Sequence, residues 1–337
     1  MFFALALALF LPFVEADSLT VANLNVWAVP APGVSKKIRE RFDLIPDAIA
    51  ATHADVIFLQ EAWRDSSKHY LAAGLRRVGY PYIVFGEASS VWSERLGLRG
   101  LFGNGLMIAS KYPLSPVKVM KFSNYTRADE YPTFKGALYT RIHKPGFEPI
   151  DLFTAHLGAF TTETIERDGK QIPDHINPRH TTVKLSQAYE LINFIKAERK
   201  SRSLIFAGDL NTHYFEFLNG KYDVSKVTGV YSAFTCLDRA DNLCLGLTDS
   251  FVALNGLYGR NSNVTRPFTY DTETNTYAKG GEFATEPPGA IDYIYVNRNG
   301  QLKPVSSQVI FNEMGSPGEP DFLSDHYGLL SVFEVIR

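Results

Sequence analysis

The sequence predicts a single α/β domain in which packed β-sheets are covered by helices. Short apolar runs with strand character alternate with amphipathic stretches along the chain, and no internal repeat or low-complexity linker interrupts them. The chain has 337 residues, 45% of them hydrophobic, which is enough to bury one large core. Its aromatic content of 13% and charged fraction of 21% exclude a disordered or coiled-coil chain.

Hydrophobic periodicity locates the individual elements. Helices are predicted over Ser35–Thr52 and Arg179–Glu198, where apolar residues recur at helical spacing, as Ile38, Phe42 and Ile45 do. Strands are predicted where β-branched and aromatic residues dominate short runs. These runs are Ser18–Val29, Asp55–Gln60, Tyr82–Phe85, Gly105–Ala109, Ala137–Ile142, Ile150–His156, Ser203–Ala207, Ala290–Val296, Ser306–Phe311 and Gly328–Val335.

The first residues predict a signal peptide. Met1–Val14 is an almost unbroken apolar run, and it is too short to span a bilayer, which needs roughly 20 residues. Val14 and Ala16 suit a cleavage site after Ala16, although no lysine or arginine precedes the apolar run. We therefore assign residues 1–16 to a signal peptide and residues 17–337 to one domain. The alternative is a buried N-terminal strand or helix.

Two cysteines agree with export to an oxidising compartment. Cys236 and Cys244 lie eight positions apart, and a disulfide between them would contribute roughly 2 to 3 kcal/mol by chain entropy. We favour this bond over two buried thiols. A metal site at the cysteines is disfavoured, because no histidine or further cysteine lies close by in sequence.

The charge balance argues against a dedicated nucleic-acid-binding protein. The 34 lysines and arginines nearly match the 36 aspartates and glutamates, and the net charge is −2. Binding to phosphate backbones normally requires a basic excess. The densest basic group contains Lys36, Lys37, Arg39 and Arg41. A small basic cleft can be hidden in a neutral total, so a nuclease is disfavoured without being eliminated.

Polar residues stand where the predicted apolar strands end, which is where sites lie in layered α/β folds. Asp209 and Asn211 follow the run SLIFA, and strand alternation directs both to the same side. Each polar residue alone has an ordinary interpretation as a turn, a cap or a satisfied polar group. Together they form a set suited to phosphate and a divalent metal: Asn25, Glu61, His156, Asp209, Asn211, Asp292, Asp325 and His326.

This set meets the chemical requirements of metal-assisted phosphodiester hydrolysis. Mg²⁺ prefers carboxylate and amide oxygens, which Glu61 and Asn25 offer. His156 and Asn211 can neutralise charge on the nonbridging phosphate oxygens. A carboxylate such as Asp209 can activate the attacking water.

A second way to activate water is a histidine–carboxylate dyad. Asp292 can fix the tautomer of the His326 imidazole in such a pair. The sequence contains neither a GxSxG elbow nor a GK[ST] loop, so a covalent mechanism is unsupported.

The order of these motifs resembles the endonuclease/exonuclease/phosphatase superfamily, whose members have the DNase I-like fold. The resemblance runs from Leu19 to Val335. It implies a four-layer α/β sandwich of two packed mixed β-sheets flanked by helices, with residues 17–337 as the catalytic domain. The motifs are Asn25, Gln60-Glu61, Gly105-Leu106, His156, Gly208-Asp209-Leu210-Asn211, Asp292 and Ser324-Asp325-His326.

Within this superfamily the sequence is most similar to neutral sphingomyelinases. The likeness lies in NLNVWAVP, RERFDLIPDAIAATHADVIFLQEAW, GNGLMIASKYPL, FKGAL and RHTTVKLSQAYEL. It implies a secreted or periplasmic phosphodiesterase of phospholipase C type that uses Mg²⁺, with Mn²⁺ as an alternative. The implied reaction is in-line attack of water on sphingomyelin at a membrane surface, giving ceramide and phosphocholine. No protein partner is implied.

The resemblance also implies roles for individual residues. Glu61 would bind the metal, with Asn25 and Asp325 beside it. Asp209 and Asn211 would hold and activate the attacking water and the phosphate.

The remaining implied roles concern the phosphate and the lipid headgroup. His156 and His326 would stabilise the phosphate and the leaving group, and Asp292 would orient His326. Lys135 would lie near the headgroup, and the alternative for Lys135 is an ordinary exposed strand lysine.

One apolar and basic segment, Val91–Phe102, is the candidate for peripheral membrane contact. Trp92, Leu98 and Phe102 stand there among arginines, a composition that can enter a bilayer interface. The alternative is a partly buried connecting loop.

Three rival functions share the fold. A divalent-metal-dependent endonuclease would use the same catalytic residues, but the charge balance opposes it. An inositol-polyphosphate phosphatase typically has a late Cys-Asp-Arg motif, where this chain has Gly289–Tyr293. A catalytically silent binding protein is disfavoured, because every catalytic position is filled.

Overall fold

The computed structural model describes residues 18–86, 103–125, 133–159, 165–167, 170–172, 178–218, 221–239, 243–258, 260 and 267–336. The predicted signal peptide, residues 1–16, lies outside the described residues, as do the candidate membrane-contact residues Trp92, Leu98 and Phe102. These assignments therefore stay predictions.

The described residues contain sixteen strands and six helices. The strands are β1 Ser18–Asn25, β2 Val56–Gln60, β3 Tyr82–Phe85, β4 Met107–Ser110, β5 Lys118–Lys121, β6 Gly136–Ile142, β7 Ile150–His156, β8 Ile165–Arg167, β9 Lys170–Ile172, β10 Ser203–Asp209, β11 Phe215–Leu218, β12 Lys221–Val227, β13 Leu247–Asp249, β14 Asp292–Asn297, β15 Leu302–Ile310 and β16 Gly328–Val335. The helices are α1 Ile38–Ala51, α2 Asp65–Arg77, α3 Pro178–Glu198, α4 Gly229–Thr235, α5 Ser250–Asn255 and α6 Thr276–Lys279.

Twelve strands form two six-stranded mixed sheets of the same design. The first has the order β15-β16-β1-β2-β4-β3 and the second β13-β14-β10-β7-β6-β5. Each sheet has one parallel pair at its centre, β1 with β2 and β7 with β10, and every other neighbouring pair in it is antiparallel. The carboxyl ends of each parallel pair therefore meet at one edge of their sheet.

The central strands β2, β7 and β10 are buried on both faces, in keeping with four layers. In β2, Val56 and Phe58 pack into the core between the sheets, while Ile57 and Leu59 pack with residues of α1 and α2. Residues of α3 and α4 pack against the outer face of the second sheet. The predicted sandwich of two packed mixed sheets flanked by helices is confirmed.

Some predicted elements differ from the structure. The first strand ends at Asn25 instead of continuing to Val29, because Trp27 adopts a left-handed backbone with φ 45°. The helix α2 was not predicted, since its buried side includes Lys68 in addition to apolar residues. The Nζ of Lys68 donates to the carbonyl of Gly86 at 2.9 Å, so burial of this amine is compensated locally.

The predicted disulfide between Cys236 and Cys244 is confirmed. The two Cα atoms lie 5.3 Å apart, and Cys236 follows α4 with a left-handed backbone, φ 60°. The bond closes the loop that returns the chain to α4, where the Leu245 N–H donates to the Ala233 carbonyl at 2.9 Å. Among the described residues, no helix is long and apolar enough to cross a membrane.

Asp249 gives a test of buried charge in this fold. Its carboxylate caps α5 by accepting the N–H groups of Phe251 and Val252, and it also accepts the hydroxyl of Tyr231 at 3.2 Å. Burial raises the pKa of Asp249 to about 7, although these hydrogen bonds oppose the rise. Because the folded pKa lies above the usual value of 3.8, this group's contribution to stability is complete below about pH 4 and is lost as the pH rises through about 7.

We expect Asp249→Asn to remove this pH dependence, since asparagine keeps a cap acceptor and has no charge to bury. Between pH 5 and pH 8, the free energy of unfolding of the variant should rise by roughly 2 kcal/mol relative to that of the parent, which means that the variant becomes relatively more stable. Urea unfolding at both pH values measures this difference. The exposed Asp47→Asn serves as the control, and a pH-independent difference for Asp249→Asn would contradict the expectation.

Candidate active site

The candidate site lies where the carboxyl ends of the two central parallel pairs approach each other. Asn25 ends β1 and Glu61 follows β2 in the first sheet, while His156 and Asp209 end β7 and β10 in the second. The strand register places Asn25 opposite Gln60 and Asp209 opposite His156. The predicted residues at four strand ends are thus neighbours in space.

The side-chain amide of Asn25 connects the two sheets. Its Nδ2 donates to Glu61 Oε1 at 3.1 Å and to Asp209 Oδ2 at 2.9 Å, and the amide is fully buried. Its Oδ1 accepts the backbone N–H of Trp27 at 2.9 Å, which fixes the orientation of the amide. In this arrangement Asn25 bridges two carboxylates, and its role as a metal ligand stays a prediction.

Glu61 is held in a backbone conformation that is rare for a glutamate. Its φ is 62°, in the left-handed region. The Glu61 carbonyl accepts the Ala28 N–H at 3.2 Å, and the next N–H, that of Ala62, donates to the Gly105 carbonyl at 3.0 Å. The surrounding backbone therefore imposes this conformation, as occurs at functional sites.

His156 lies among groups of both charges. Its Nε2 is 3.4 Å from Asp209 Oδ2 and 3.8 Å from Glu61 Oε1, and it accepts the Nζ of Lys135 at 3.1 Å. Burial lowers the pKa of His156 well below its usual value, and the charges of Lys135 and His326 lower it further. The imidazole is therefore neutral. Lys135 is buried beside it, so the alternative of an exposed strand lysine is wrong.

His326 and Asp292 form a hydrogen-bonded pair at the same edge of the second sheet. The Nδ1 of His326 donates to Asp292 Oδ2 at 2.8 Å, and its Nε2 lies 3.8 Å from Asp209 Oδ2. Burial alone would lower the pKa of His326, but the carboxylates of Asp292, Asp325 and Asp209 raise it well above its usual value. The imidazolium is therefore the stable form at neutral pH. The Thr269 hydroxyl accepts the backbone N–H of Asp292 at 3.1 Å.

Asp209 has the electrostatic environment of a base that works near neutral pH. It is almost fully buried and lies opposite Asp292 in the strand register. Burial raises the pKa of Asp209 to about 7, and the charge of Asp292 adds to this rise while His326 opposes it. A carboxylate with such a pKa can accept a proton from water at neutral pH.

Asn211 turns the chain immediately after this carboxylate. Its backbone is left-handed, φ 48°, and its N–H donates to Asp209 Oδ1 at 2.9 Å. Its Nδ2 donates to the Leu157 carbonyl at 3.2 Å, and its own carbonyl accepts the Nζ of Lys184 at 2.8 Å. Lys184 comes from α3 and was not among the predicted site residues.

The possible ligand atoms of this site fit a hard divalent cation. The ligand atoms of Glu61, His156 and Asp209 lie within 4.8 Å of one another, and those of Asp209, Asp292 and His326 do too. Glu61 Oε2 is buried and has no hydrogen-bond partner among the described residues. Burial raises the pKa of Asp325 to about 7, with His326 opposing the rise and Glu61 adding to it. A cation beside Glu61 would satisfy this oxygen and relieve the repulsion.

The structure brings all eight predicted polar residues and Lys135 into one cluster. Asp325 is its most peripheral member, with Oδ1 4.0 Å from His326 Nε2, and it belongs to neither of the two candidate metal groups. The roles assigned to these residues by resemblance stay predictions.

The buried Arg41 supports the cluster, although the sequence analysis considered it only as part of the densest basic group. Its guanidinium donates to the carbonyls of Val26 at 2.7 Å, Trp27 at 2.6 Å and Leu323 at 2.9 Å. Burial lowers the pKa of Arg41 to about 10, so it stays charged. It thereby joins the segment after Asn25 to the segment before Asp325. A sequence signal existed, since position 41 lies on the apolar side of α1.

A buried polar network lies behind the cluster. The Nε2 of Gln60 donates to Asn23 Oδ1 at 2.8 Å and to the Thr154 hydroxyl at 3.2 Å, and all three side chains are fully buried. Thr154 belongs to β7, so the network ties the second sheet to β1 and β2. Gln60 precedes Glu61, and the network therefore positions the strand end that carries the carboxylate.

Comparison with known proteins gives the class of this chain. The model of the Endonuclease/Exonuclease/phosphatase family matches residues 22–326. The chain belongs to this family, in agreement with the resemblance found in the sequence.

The sequence relatives belong to the sphingomyelinase branch. A putative neutral sphingomyelinase of Drosophila melanogaster is 26% identical over 328 residues, which cover 95% of this chain and 61% of that protein. Sphingomyelinase C 2 of Leptospira interrogans is 23% identical, covering 86% of this chain and 41% of that protein. Sphingomyelinase C of Listeria ivanovii is 26% identical, covering 79% and 68%. The chain thus spans less than two thirds of the length of the first two relatives.

Solved structures share the fold. The crystal structure of SmcL superposes with a TM-score of 0.63 at 20% identity, covering 94% of this chain and 99% of SmcL. A mutant of beta toxin from Staphylococcus aureus with bound magnesium ions has a TM-score of 0.60 at 17% identity, covering 93% and 99%. TDP2 of D. rerio with a single strand DNA product has a TM-score of 0.62 at 17% identity, covering 95% and 100%.

Arg41→Lys tests whether the buried guanidinium holds the two segments together. Lysine keeps the charge but lacks the planar guanidinium with which Arg41 reaches three carbonyls. We therefore expect the free energy of unfolding to fall by roughly 2 to 4 kcal/mol. Denaturant unfolding measures the loss. Arg39→Lys, at a largely exposed position two residues away, should change stability by less than about 0.5 kcal/mol. Equal effects of the two substitutions would refute this role of Arg41.

Metal binding can be tested without any activity assay. A ligand that binds only the folded state at 100 times its Kd stabilises it by about 2.7 kcal/mol, so Mg²⁺ should raise the Tm of the protein. In Glu61→Gln the increase should be largely lost, because a hard cation needs the carboxylate. The exposed Glu148→Gln is the matched control and should retain it. An undiminished increase in Glu61→Gln would show that Glu61 is not a ligand.

Proposed function

We propose that this protein is a Mg²⁺-dependent phosphodiesterase of phospholipase C type that hydrolyses sphingomyelin to ceramide and phosphocholine. The observation that carries the proposal is the convergence of Glu61, His156, Asp209, Asp292 and His326 at one edge of the two sheets. The sphingomyelinase names of the sequence relatives support the choice of substrate.

Glu61 is the residue that would hold the metal, with Asn25 and Asp325 beside it. When bound, Mg²⁺ would stabilise negative charge on the phosphate and make water more acidic. Glu61 Oε2 is the oxygen left for it, since Oε1 accepts from Asn25.

Asp209 is the residue that accepts the proton of the attacking water. Its Oδ1 and Oδ2 are oriented by the Asn211 N–H and the Asn25 amide, so the carboxylate cannot rotate freely. Its pKa near 7 makes the carboxylate available at neutral pH and basic enough to take the proton. The oxygen of water then attacks phosphorus as the bond to the ceramide oxygen breaks. The departing ceramide oxygen takes a proton from the His326 imidazolium, and Asp209 returns the proton of water to His326, whose Nε2 lies 3.8 Å from Asp209 Oδ2.

The imidazolium of His326 and the ammonium of Lys135 stabilise the negative charge of the phosphate. Asp292 keeps His326 charged and directs its Nε2 toward Asp209. Lys135 reaches the cluster through its contact with His156 Nε2. Fixed charges in a water-poor site stabilise a transition state more strongly than they would in water.

We also infer that the protein acts outside the reducing cytosol. The disulfide between Cys236 and Cys244 supports this location, as does the apolar run in residues 1–16. Contact with a lipid surface would be peripheral, with Val91–Phe102 as the candidate segment.

A nuclease would use the same cluster, and likeness of fold does not separate the two activities. SmcL and the DNA-bound TDP2 superpose almost equally well on this chain. The net charge of −2 and the sequence relatives favour the lipid substrate.

The proposal is tested by phosphocholine release from sphingomyelin vesicles, with Mg²⁺ and then with EDTA, beside plasmid nicking by the same preparation. We expect EDTA-sensitive release without nicking. Asp209→Asn should lower the rate on the order of 10² to 10⁴-fold, because the base is lost, with little change in Tm. The exposed Asp47→Asn should keep full activity. Nicking without phosphocholine release would overturn the lipid assignment.

A further inference from the structure

A small, partly open cavity of about 40 Å³ lies beside the catalytic cluster. That volume admits about three water molecules, and the open side leaves the cavity accessible from solvent. Its backbone side includes Gly289, whose lack of a side chain leaves room for the neighbouring rings, since a Cβ there would lie 2.1 Å from His213 Nδ1. Among the described residues, the remaining wall is almost entirely aromatic: His213, Tyr214, Phe215, Tyr222, Tyr258 and Phe268.

Three chain segments join this cavity to the catalytic cluster. Two of them carry one residue of the cluster and, two positions away, one residue of the cavity wall: Asn211 with His213, and Asp292 with Ala290. The third carries Phe268 in the wall and Tyr270, whose ring lies 5.2 Å from that of His326. Since consecutive Cα atoms are 3.8 Å apart, the two residues of each pair lie less than about 8 Å apart.

The rings in this wall are fixed by edge-to-face contacts. Tyr222 meets His213 at 5.3 Å with an interplanar angle of 79°, and Tyr258 meets Phe268 at 5.2 Å and 75°. The Tyr222 hydroxyl donates to the Pro288 carbonyl at 2.6 Å, which holds its ring against the loop. Rings held in this way present faces and edges in set directions.

An aromatic cavity beside a phosphate site suits a cation that carries no hydrogen-bond donor. A quaternary ammonium needs no hydrogen-bond acceptors and is attracted by the faces of aromatic rings. The nearby guanidinium of Arg260 stacks on Phe215 at 4.9 Å, but it donates to Asp238 at 2.7 Å, so its charge is paired.

We infer that this cavity is the subsite for the quaternary ammonium of the substrate headgroup. The inference rests on the proposed function, in which the phosphate lies at the catalytic cluster. A two-carbon spacer joins phosphate and ammonium in a choline headgroup, so the ammonium must lie within a few ångströms of the cluster. The cavity makes the protein selective for a trimethylated headgroup over a primary amine, which loses more hydration on entering an apolar wall.

Headgroup selectivity provides the first test. The kcat/KM ratio for sphingomyelin over ceramide phosphoethanolamine, in vesicles otherwise identical, should fall on the order of 10-fold in Tyr222→Leu with Tyr258→Leu, because leucine keeps apolar bulk but has no π face. The double variant Tyr222→Phe with Tyr258→Phe is the matched control and should keep most of the ratio. Equal losses on both lipids would overturn the subsite and leave the proposed function standing.

Binding of tetramethylammonium, followed by NMR titration of the whole protein, gives a second test that needs no turnover. We expect saturable binding in the parent and in the phenylalanine variant, and its loss in the leucine variant. If sphingomyelin is not hydrolysed but tetramethylammonium binds in this way, the proposed function fails while the subsite stands. If a single-stranded oligonucleotide shifts the NMR signals of the cavity residues and tetramethylammonium does not, the quaternary ammonium assignment is wrong.

Discussion

The amide of Asn25 is the contact on which the candidate site depends. It donates to Glu61 from its own sheet and to Asp209 from the other, so one side chain holds together two carboxylates of like charge, of which Asp209 is buried. Bringing such groups out of water is costly unless they are hydrogen-bonded or paired with a cation. Burial raises the pKa of Asp209 and that of the neighbouring Asp325, in accord with this cost. The cluster is therefore arranged to receive positive charge.

Polar groups buried around this contact position it. Gln60 and Thr154 connect the sheets behind the cluster, and Arg41 connects the segments that follow Asn25 and precede Asp325. The contacts from Gln60 to Thr154 and from Arg41 to Leu323 form only when the sheets and the loops above them are assembled. Stability of the fold and geometry of the site are consequently coupled, since breaking one of these contacts leaves buried polar atoms unsatisfied.

The two histidines show how packing separates similar residues into different roles. His156 and His326 both contact Asp209, but the first lies beside Lys135 and the second beside Asp292. Burial lowers the pKa of both rings; Lys135 lowers that of His156 further, whereas Asp292 and the other carboxylates raise that of His326 above its usual value. One ring is a neutral acceptor and the other a charged donor at the same pH. The sequence analysis assigned both to the phosphate and the leaving group, and nothing local to either residue distinguishes them.

The sequence by itself determined most of the elements and the membership of the candidate site. Apolar periodicity is a local property, and polar residues at the ends of apolar strands are visible without a partner, as with His156 and Asp209. Motif order then indicated the family and the two sheets. Only the tertiary structure decided the burial of Arg41 and Lys135, the support of Asn211 by Lys184, and the aromatic cavity beside the site. Arg41 and Leu323 are separated by 282 positions, and a contact over such a distance exists only because two sheets and their loops pack together.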